Sequence, residues 1–207
     1  MKTTAVLLAA GTSARFGSDK RRLVLPGGDA LLQACAARAR AASDDVVVVL
    51  RPGDADLSSM LDDLGCRVCI NAQPQRGMGS SLACGVRAAA DADAWIVMPG
   101  DLPLLRPRTL GQVAAALHTA DAVVPVCHGR RGHPVGFGSR YRQALLALSG
   151  DVGGRQVLQG DGGQVVWLNI HDPGIYLDVD TPADVARLAR LCGPAGENGA
   201  PFDANRC

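Results

Sequence analysis

Aromatic side chains are scarce in this chain. Phe, Trp and Tyr make up 3% of its 207 residues, too few for a platform that stacks bases. An excess of charge of either sign is also lacking. The 21 Lys and Arg residues face 20 Asp and Glu, for a formal net charge of +1, so the electrostatic footprint of a nucleic-acid binder is absent. No apolar run approaches the ~20 residues needed to span a bilayer. Lys2 followed by an apolar run imitates a secretory signal weakly, but the run is short and Arg15, Asp19, Lys20, Arg21 and Arg22 follow it. The sequence thus predicts a cytoplasmic protein with no nucleic-acid partner and no membrane partner.

Lysine is nearly missing: of the 21 basic residues, only Lys2 and Lys20 are not Arg. Lys2 lies at the chain start. Lys20 is therefore the one internal site where a compact ammonium, which meets phosphate as a point charge, was kept over a guanidinium. The seven cysteines are odd in number and mostly sit in apolar segments, which predicts reduced thiols. Cys66-Arg67-Val68-Cys69 has CxxC spacing, but it falls in a predicted strand with no second Cys or His pair nearby, so neither metal nor redox chemistry is expected there.

With 47% apolar and 20% charged residues, the composition is globular, and the length suits one domain with a tail. A domain over 1–192 is expected. Residues 193–207, rich in Gly, Pro and Ala without periodicity, read as a flexible C-terminal tail. Apolar runs predict strands over 4–8, 45–50, 67–71, 94–98, 122–126, 134–137 and 164–168. The run from Val46 to Leu50 is apolar throughout, as in a central strand covered on both faces. Helices are expected over 30–42, 55–64, 80–90, 107–119, 140–148, 155–159 and 182–191, with Asp54 and Thr181 as N-caps. Trp95 and Trp167 read as core. The alternation implies an α/β, three-layer, doubly wound, mostly parallel sheet, whose ligands sit at the carboxyl ends of the strands.

The loop after the first strand carries the chemistry. Ala9-Ala10-Gly11-Thr12-Ser13-Ala14-Arg15-Phe16-Gly17-Ser18-Asp19-Lys20 places small residues, whose backbone N–H groups can approach an anion, ahead of two cations. It reads as a nucleotide-phosphate grip. Its spacing is neither GxxxxGK[ST] nor GxGxxG, and the second strand ends in Leu50-Arg51-Pro52 without the acidic residue of a dinucleotide site.

Leu8 to Lys20 resembles the LAxGxSxRxGxxK signature of the MobA/MocA-like nucleotidyltransferases. Gly77-Met78-Gly79-Ser80-Ser81-Leu82 resembles that family's second nucleotide loop, and Met98-Pro99-Gly100-Asp101-Leu102-Pro103 its metal-binding loop. Arg131 to Val135 and Leu177 to Asp184 resemble its later motifs, so the likeness runs over roughly residues 3–190. It implies the Rossmann-like fold of nucleotide-diphospho-sugar transferases. Guanylyl-transferring members typically read LAGG and then PCDxP, and cytidylyl-transferring members LAAG and then PGDxP. Ala10 and Gly100 match the second pattern, which resembles molybdenum cofactor cytidylyltransferases. The likeness implies transfer of CMP from CTP to the terminal phosphate of a molybdopterin-type acceptor, with release of pyrophosphate. Another NTP, an acceptor such as a sugar phosphate, or a carrier that delivers cofactor to a molybdoenzyme client without catalysis are the alternatives.

In that reading Arg15 and Lys20 grip the triphosphate and Asp101 holds Mg²⁺, with Asp178 or Asp180 as a second carboxylate. Asp178 and Asp180 alternate, so on an extended segment they point the same way; one of them capping the last helix is the competing expectation. The last residue of the first strand, Leu8, with Ala9, Ala10 and Gly11, contributes backbone to the nucleotide site. Gly100 leaves space beside the base, and Ser81 bonds base or ribose unless it or Ser80 serves as an N-cap. His133 and Asp180 are expected to position substrate. Arg21 and Arg22 depart from the family's pattern. They read as solvated surface or as contacts to an acidic acceptor, and they leave open whether Lys20 or Arg21 meets the phosphate.

Overall fold

The computed structural model describes residues 1–160 and 162–192; the segment expected to form a tail lies outside the described residues. Eight strands form one mixed sheet: β1 (Thr3–Leu8), β2 (Asp45–Leu50), β3 (Arg67–Ile70), β4 (Ala94–Pro99), β5 (Ala122–Cys127), β6 (Arg130–Arg131), β7 (Val135–Gly138) and β8 (Val165–Asn169). The order β3-β2-β1-β4 is parallel throughout. β7 then runs antiparallel to β4, and β5 antiparallel to β7, while β8 lies parallel to β5 on its other side. β5 and β8 therefore run the same way as β1 to β4, only β6 and β7 are reversed, and the expected mostly parallel sheet holds. β6 and β7 are reversed because the turn after β5 sends the chain straight back along β5.

Strand periodicity divides the interior into two cores. Ala5 and Leu7 of β1 and Val46, Val48 and Leu50 of β2 face one side, against α1 (Leu31–Arg40), α2 (Ala55–Asp63) and α4 (Pro107–Ala116). Val6, Val47 and Val49 face the other, against α3 (Met78–Ala88) and α5 (Arg142–Leu146). Gly85 lets α3 lie close on the sheet, since a Cβ there would stand 2.4 Å from a methyl of Val6. The run from Val46 to Leu50 is fully buried, and at about 1.5–3 kcal/mol for each large apolar side chain removed from water it anchors the domain. The last helix, α6 (Pro182–Cys192), follows the segment that carries Asp178 and Asp180.

Several local expectations are corrected. Residues 154–159 form a 3₁₀ helix, not an α-helix. A 3₁₀ turn at Ser139–Tyr141 precedes the short α5. Trp95 is core, its indole Nε1 donating to the Ala89 carbonyl at 3.1 Å, but Trp167 is 47% exposed because β8 is an edge strand, and Arg131 stacks on it. Among the described residues, no helix is long and apolar enough to cross a membrane.

Candidate active site

The carboxyl ends of β1 and β4 are neighbours: Leu8 pairs with Pro99, and the Gly100 N–H donates to the Leu8 carbonyl at 3.0 Å. The two loops expected to hold nucleotide and metal therefore leave the sheet side by side. The segment after Leu177 lies against them, with the Val179 N–H donating to the Asp101 carbonyl at 3.1 Å. Val179 is fully buried. As alternation requires, Asp178 and Asp180 share the other face, half-buried. Neither caps α6. The Asp184 carboxylate, in the first turn of α6, reaches back to brace the entry to the helix, accepting from the N–H groups of Asp180 and Thr181 and from the Thr181 hydroxyl. Asp172, 2% exposed, steadies the same segment by accepting from the Arg106 N–H and the Thr109 hydroxyl at the start of α4.

Lys20 Nζ stands between carboxylates, 2.7 Å from Asp101 Oδ2 and 2.7 Å from Asp180 Oδ1. Arg15 reaches the other oxygen of Asp180 at 2.9 Å from a largely exposed position. Burial works against the Lys20 charge, but Asp101 and Asp180 outweigh it and raise its pKa. Asp101 also lies above its ordinary value. Burial is the main cause, and the charges of Asp178 and Asp180 add to the rise against Lys20. The opposing pulls describe one cluster, in which three carboxylates exceed the positive charge beside them. Asp101 Oδ1 is buried with no hydrogen-bond partner, an acceptor aimed at something electropositive. Among the described residues no three His, Cys, Asp or Glu side chains stand close enough to form a metal cage, because Lys20 fills the space between Asp101 and Asp180.

Arg21 is not surface. It is 3% exposed, and its guanidinium donates to Asp19, to Asp54 and, at 2.8 Å, to the Ala9 carbonyl. Its bond to Asp54 Oδ1 is 2.8 Å long. This removes Arg21 as a phosphate ligand and explains why Asp54, at the start of α2, gives that helix no side-chain cap. Arg22, the more exposed neighbour, pairs with Asp19 and Asp56. Arg51 joins the network through Asp19 and donates to the Gly11 carbonyl at 3.1 Å. The phosphate-grip loop is thus held from behind by ion pairs. The hydrogen bonds from Arg21 hold the Asp19 carboxyl down to about 2 against burial, with the charges of Arg21 and Arg22 adding to the effect. A depressed carboxylate adds stability above its ordinary value and loses it as pH falls through the folded value. Melting temperature should therefore drop between about pH 4 and pH 2, and Arg21→Met should flatten that limb. An unchanged limb in the variant would remove this network as its source.

The Ala9 N–H donates to the Val49 carbonyl at 3.0 Å and its carbonyl serves Arg21, so Ala9 shapes the loop and leaves base contacts to its neighbours. Ala10 is buried in the α3-side core, and a Cβ on Gly11 would meet nothing within 4 Å, so the chain becomes approachable at Gly11. The structure corrects the expectation for Gly100. A side chain there would point at Leu32 Cδ1, 3.0 Å away, and at Ala9, into the protein, so Gly100 serves close packing of the two loops. Ser81 is 6% exposed and accepts from Asn71 Nδ2 at 3.0 Å, as does Ser80. Ser80 also donates to the Gly77 carbonyl at 2.8 Å, and the expected N-cap role falls to neither serine, since Gly77 is the N-cap of α3 with no side-chain cap. Asn71 escaped the sequence reading. Its only signal is its position directly after β3, at the ligand edge. Gly77 fixes this loop, with φ 88° and the Gly150 backbone 2.3 Å from where a Cβ would stand. His133 lies in the break between β6 and β7, its N–H donating to the Ile175 carbonyl at 2.7 Å.

A small-residue loop, an ammonium among carboxylates and a buried unpartnered carboxylate oxygen, all at the carboxyl edge of parallel strands, define a nucleotidyltransferase. The chain belongs to the family of the MobA-like NTP transferase domain, which matches residues 5–165. It is 30% identical to a probable molybdenum cofactor guanylyltransferase of Chloroflexus aggregans, covering 93% of this chain and 96% of that one. It is 33% identical to the bifunctional protein GlmU of Sorangium cellulosum over 84% of its length, but spans only 38% of that protein. Among solved structures, Rv0371c of Mycobacterium tuberculosis superposes with a TM-score of 0.78 at 27% identity, over 90% of this chain and 96% of that one. A second structure of that protein, at 24% identity and TM-score 0.75, is a complex with manganese.

Proposed function

We propose that this chain transfers CMP from CTP to the phosphate of a molybdopterin-type acceptor, with release of pyrophosphate. The observation that carries the reaction class is the Lys20–Asp101–Asp180 cluster with its unpartnered Asp101 Oδ1. Acceptor identity leans on the relative from Chloroflexus aggregans, which is named for the same cofactor although it is named a guanylyltransferase. Cytidine in place of guanosine rests on the motif match alone, Ala10 and Gly100 following the cytidylyl pattern, since Ala10 is buried in the core and Gly100 packs toward Leu32 and Ala9.

Nucleotidyl transfer is in-line displacement at the α-phosphorus, and the protein's work is placement and charge neutralisation. The acceptor phosphate is already ionised, so no strong general base is required. The donor set at Asp101, with Asp178 or Asp180, is all oxygen and suits Mg²⁺, which usually keeps waters and binds through one or two carboxylates plus substrate phosphates. Bound there, it would neutralise charge on the phosphate oxygens. Lys20 and Arg15 carry the remaining positive charge to the triphosphate. The N–H groups of Ala10 and Gly11 and the Ser81 hydroxyl face the nucleoside, and His133 and Asp180 border the acceptor side.

A thermal-shift panel of CTP, GTP, ATP and UTP with Mg²⁺ tests the nucleotide. At ~100 times its dissociation constant, CTP should add roughly 2.7 kcal/mol, or about 5–11 °C for a chain of this size. An equal shift with GTP would overturn the cytidylyl assignment, and no shift with any nucleotide would overturn the whole reading.

A further inference from the structure

Cys66 and Cys69 do not act as a CxxC unit. Three positions apart on extended chain, they face opposite sides of the sheet. Cys66 packs into the core on the α1 and α2 side, and Cys69 packs against the core on the α3 side. The real partner of Cys69 is Cys84, a turn after Ser80 and Ser81 on α3, with the two sulfurs 3.7 Å apart. Both thiols are free and partly exposed. Cys84 lines a cavity of about 480 Å³ together with the cationic side chains Arg76 and Arg87. Cys84 is thus a reachable thiol in an electropositive setting, the environment of reactive cysteines. Its contact with Cys69 and the charge of Arg87 bring its pKa down to about 7 against burial. Burial pushes Cys35 up to about 12 and is also the main cause that pushes Cys66 up to about 11.

We propose that Cys69 and Cys84 form a dithiol that hydrogen peroxide converts reversibly into an intrachain disulfide joining β3 to α3. The Cys84 thiolate attacks one peroxide oxygen; an S–O bond forms, the O–O bond breaks, and hydroxide leaves and takes up a proton as water. Cys69 then attacks the Cys84 sulfur. The S–S bond forms, the S–O bond breaks, and the Cys69 proton leaves with the departing oxygen as a second water. Two thiols and one peroxide give one disulfide and two waters, the two electrons passing from sulfur to oxygen. The sulfurs, already 3.7 Å apart, must close to about 2.05 Å for the bond to form. The bond would sit directly behind Asn71 and its two serine partners, but the proposal stands without the nucleotide reading.

The test is peroxide treatment of the whole chain, followed by alkylation, proteolysis and mass spectrometry. A peptide pair linked through Cys69 and Cys84, restored to two alkylated thiols by dithiothreitol, is the expected result. Cys84 should alkylate readily at neutral pH, whereas Cys35, fully buried and with its thiol pushed up to about 12, should stay unmodified in the folded chain. In Cys69→Ser, peroxide should leave Cys84 as a sulfenic acid that dimedone traps, and in Cys84→Ser no linked pair should form while near-ultraviolet dichroism shows the fold intact. Linkage between other cysteines, or overoxidation of Cys84 in the native chain with no linked pair, would overturn the proposal.

Discussion

Asp101→Asn should yield a folded protein without transferase activity. Asp101 Oδ1 is buried and unpartnered while Oδ2 holds Lys20, so the carboxylate joins the ammonium to whatever cation arrives with the nucleotide. Charge stabilisation of this kind is worth several kcal/mol, and each 1.36 kcal/mol is tenfold in rate, so turnover should fall on the order of a thousandfold or more. Stability should move differently. The folded-state pKa of Asp101 lies above its ordinary value of 3.8, chiefly through burial. A raised carboxyl binds its proton more tightly in the folded state, so stability falls as pH climbs from the ordinary value through the folded one, and at neutral pH the charged form is a cost. Asparagine removes that cost but leaves Lys20 with Asp180 alone, so unfolding in urea should shift by no more than about 1 kcal/mol. Substantial remaining turnover would remove Asp101 from the chemistry.

Arg21→Met should do the reverse. The guanidinium and Asp54 are both nearly inaccessible, and loss of one partner from a buried pair costs up to about 3–5 kcal/mol, with Arg22 and Arg51, each 3.7 Å from Asp54, left to offset part of its charge. For a chain of this length that is roughly 6–20 °C in melting temperature. Arg21→Lys should recover only part of it, since one ammonium cannot serve Asp19, Asp54 and the Ala9 carbonyl together. The double variant Arg21→Met with Asp54→Leu should be more stable than Arg21→Met alone, because it removes a buried carboxylate left with only the longer contacts to Arg22 and Arg51. A double variant as unstable as the sum of its parts would contradict the ion-pair origin of the loss.

The contrast between Lys20 and Arg21 shows where sequence reading reached its limit. The rarity of lysine singled out Lys20, and the strand-loop pattern placed it at the ligand edge. Three adjacent cations then looked equivalent in sequence. Lys20–Arg22 form a 3₁₀ turn, which rotates successive side chains by a third of a turn. One therefore faces the site, one the interior and one solvent. The alternation of Asp178 and Asp180 was legible because period two needs no tertiary information. Gly100 misled because the direction of an absent Cβ depends on which loop packs behind it. Asn71 and the Cys69–Cys84 pair depend on α3 crossing β3, a contact that spacing alone does not encode. The reversal of β6 and β7 escaped for a related reason: β7 carries no apolar signature that marks it as antiparallel.

The most direct measurement is product formation by the purified chain given molybdopterin, Mg²⁺ and either CTP or GTP, with pyrophosphate and the dinucleotide followed by chromatography. We expect stoichiometric pyrophosphate and cytidine dinucleotide with CTP, far less product with GTP, and none without the metal or with Asp101→Asn. Equal or faster turnover with GTP would contradict the cytidylyl reading. Cofactor binding with no pyrophosphate from any nucleotide would contradict the transferase itself.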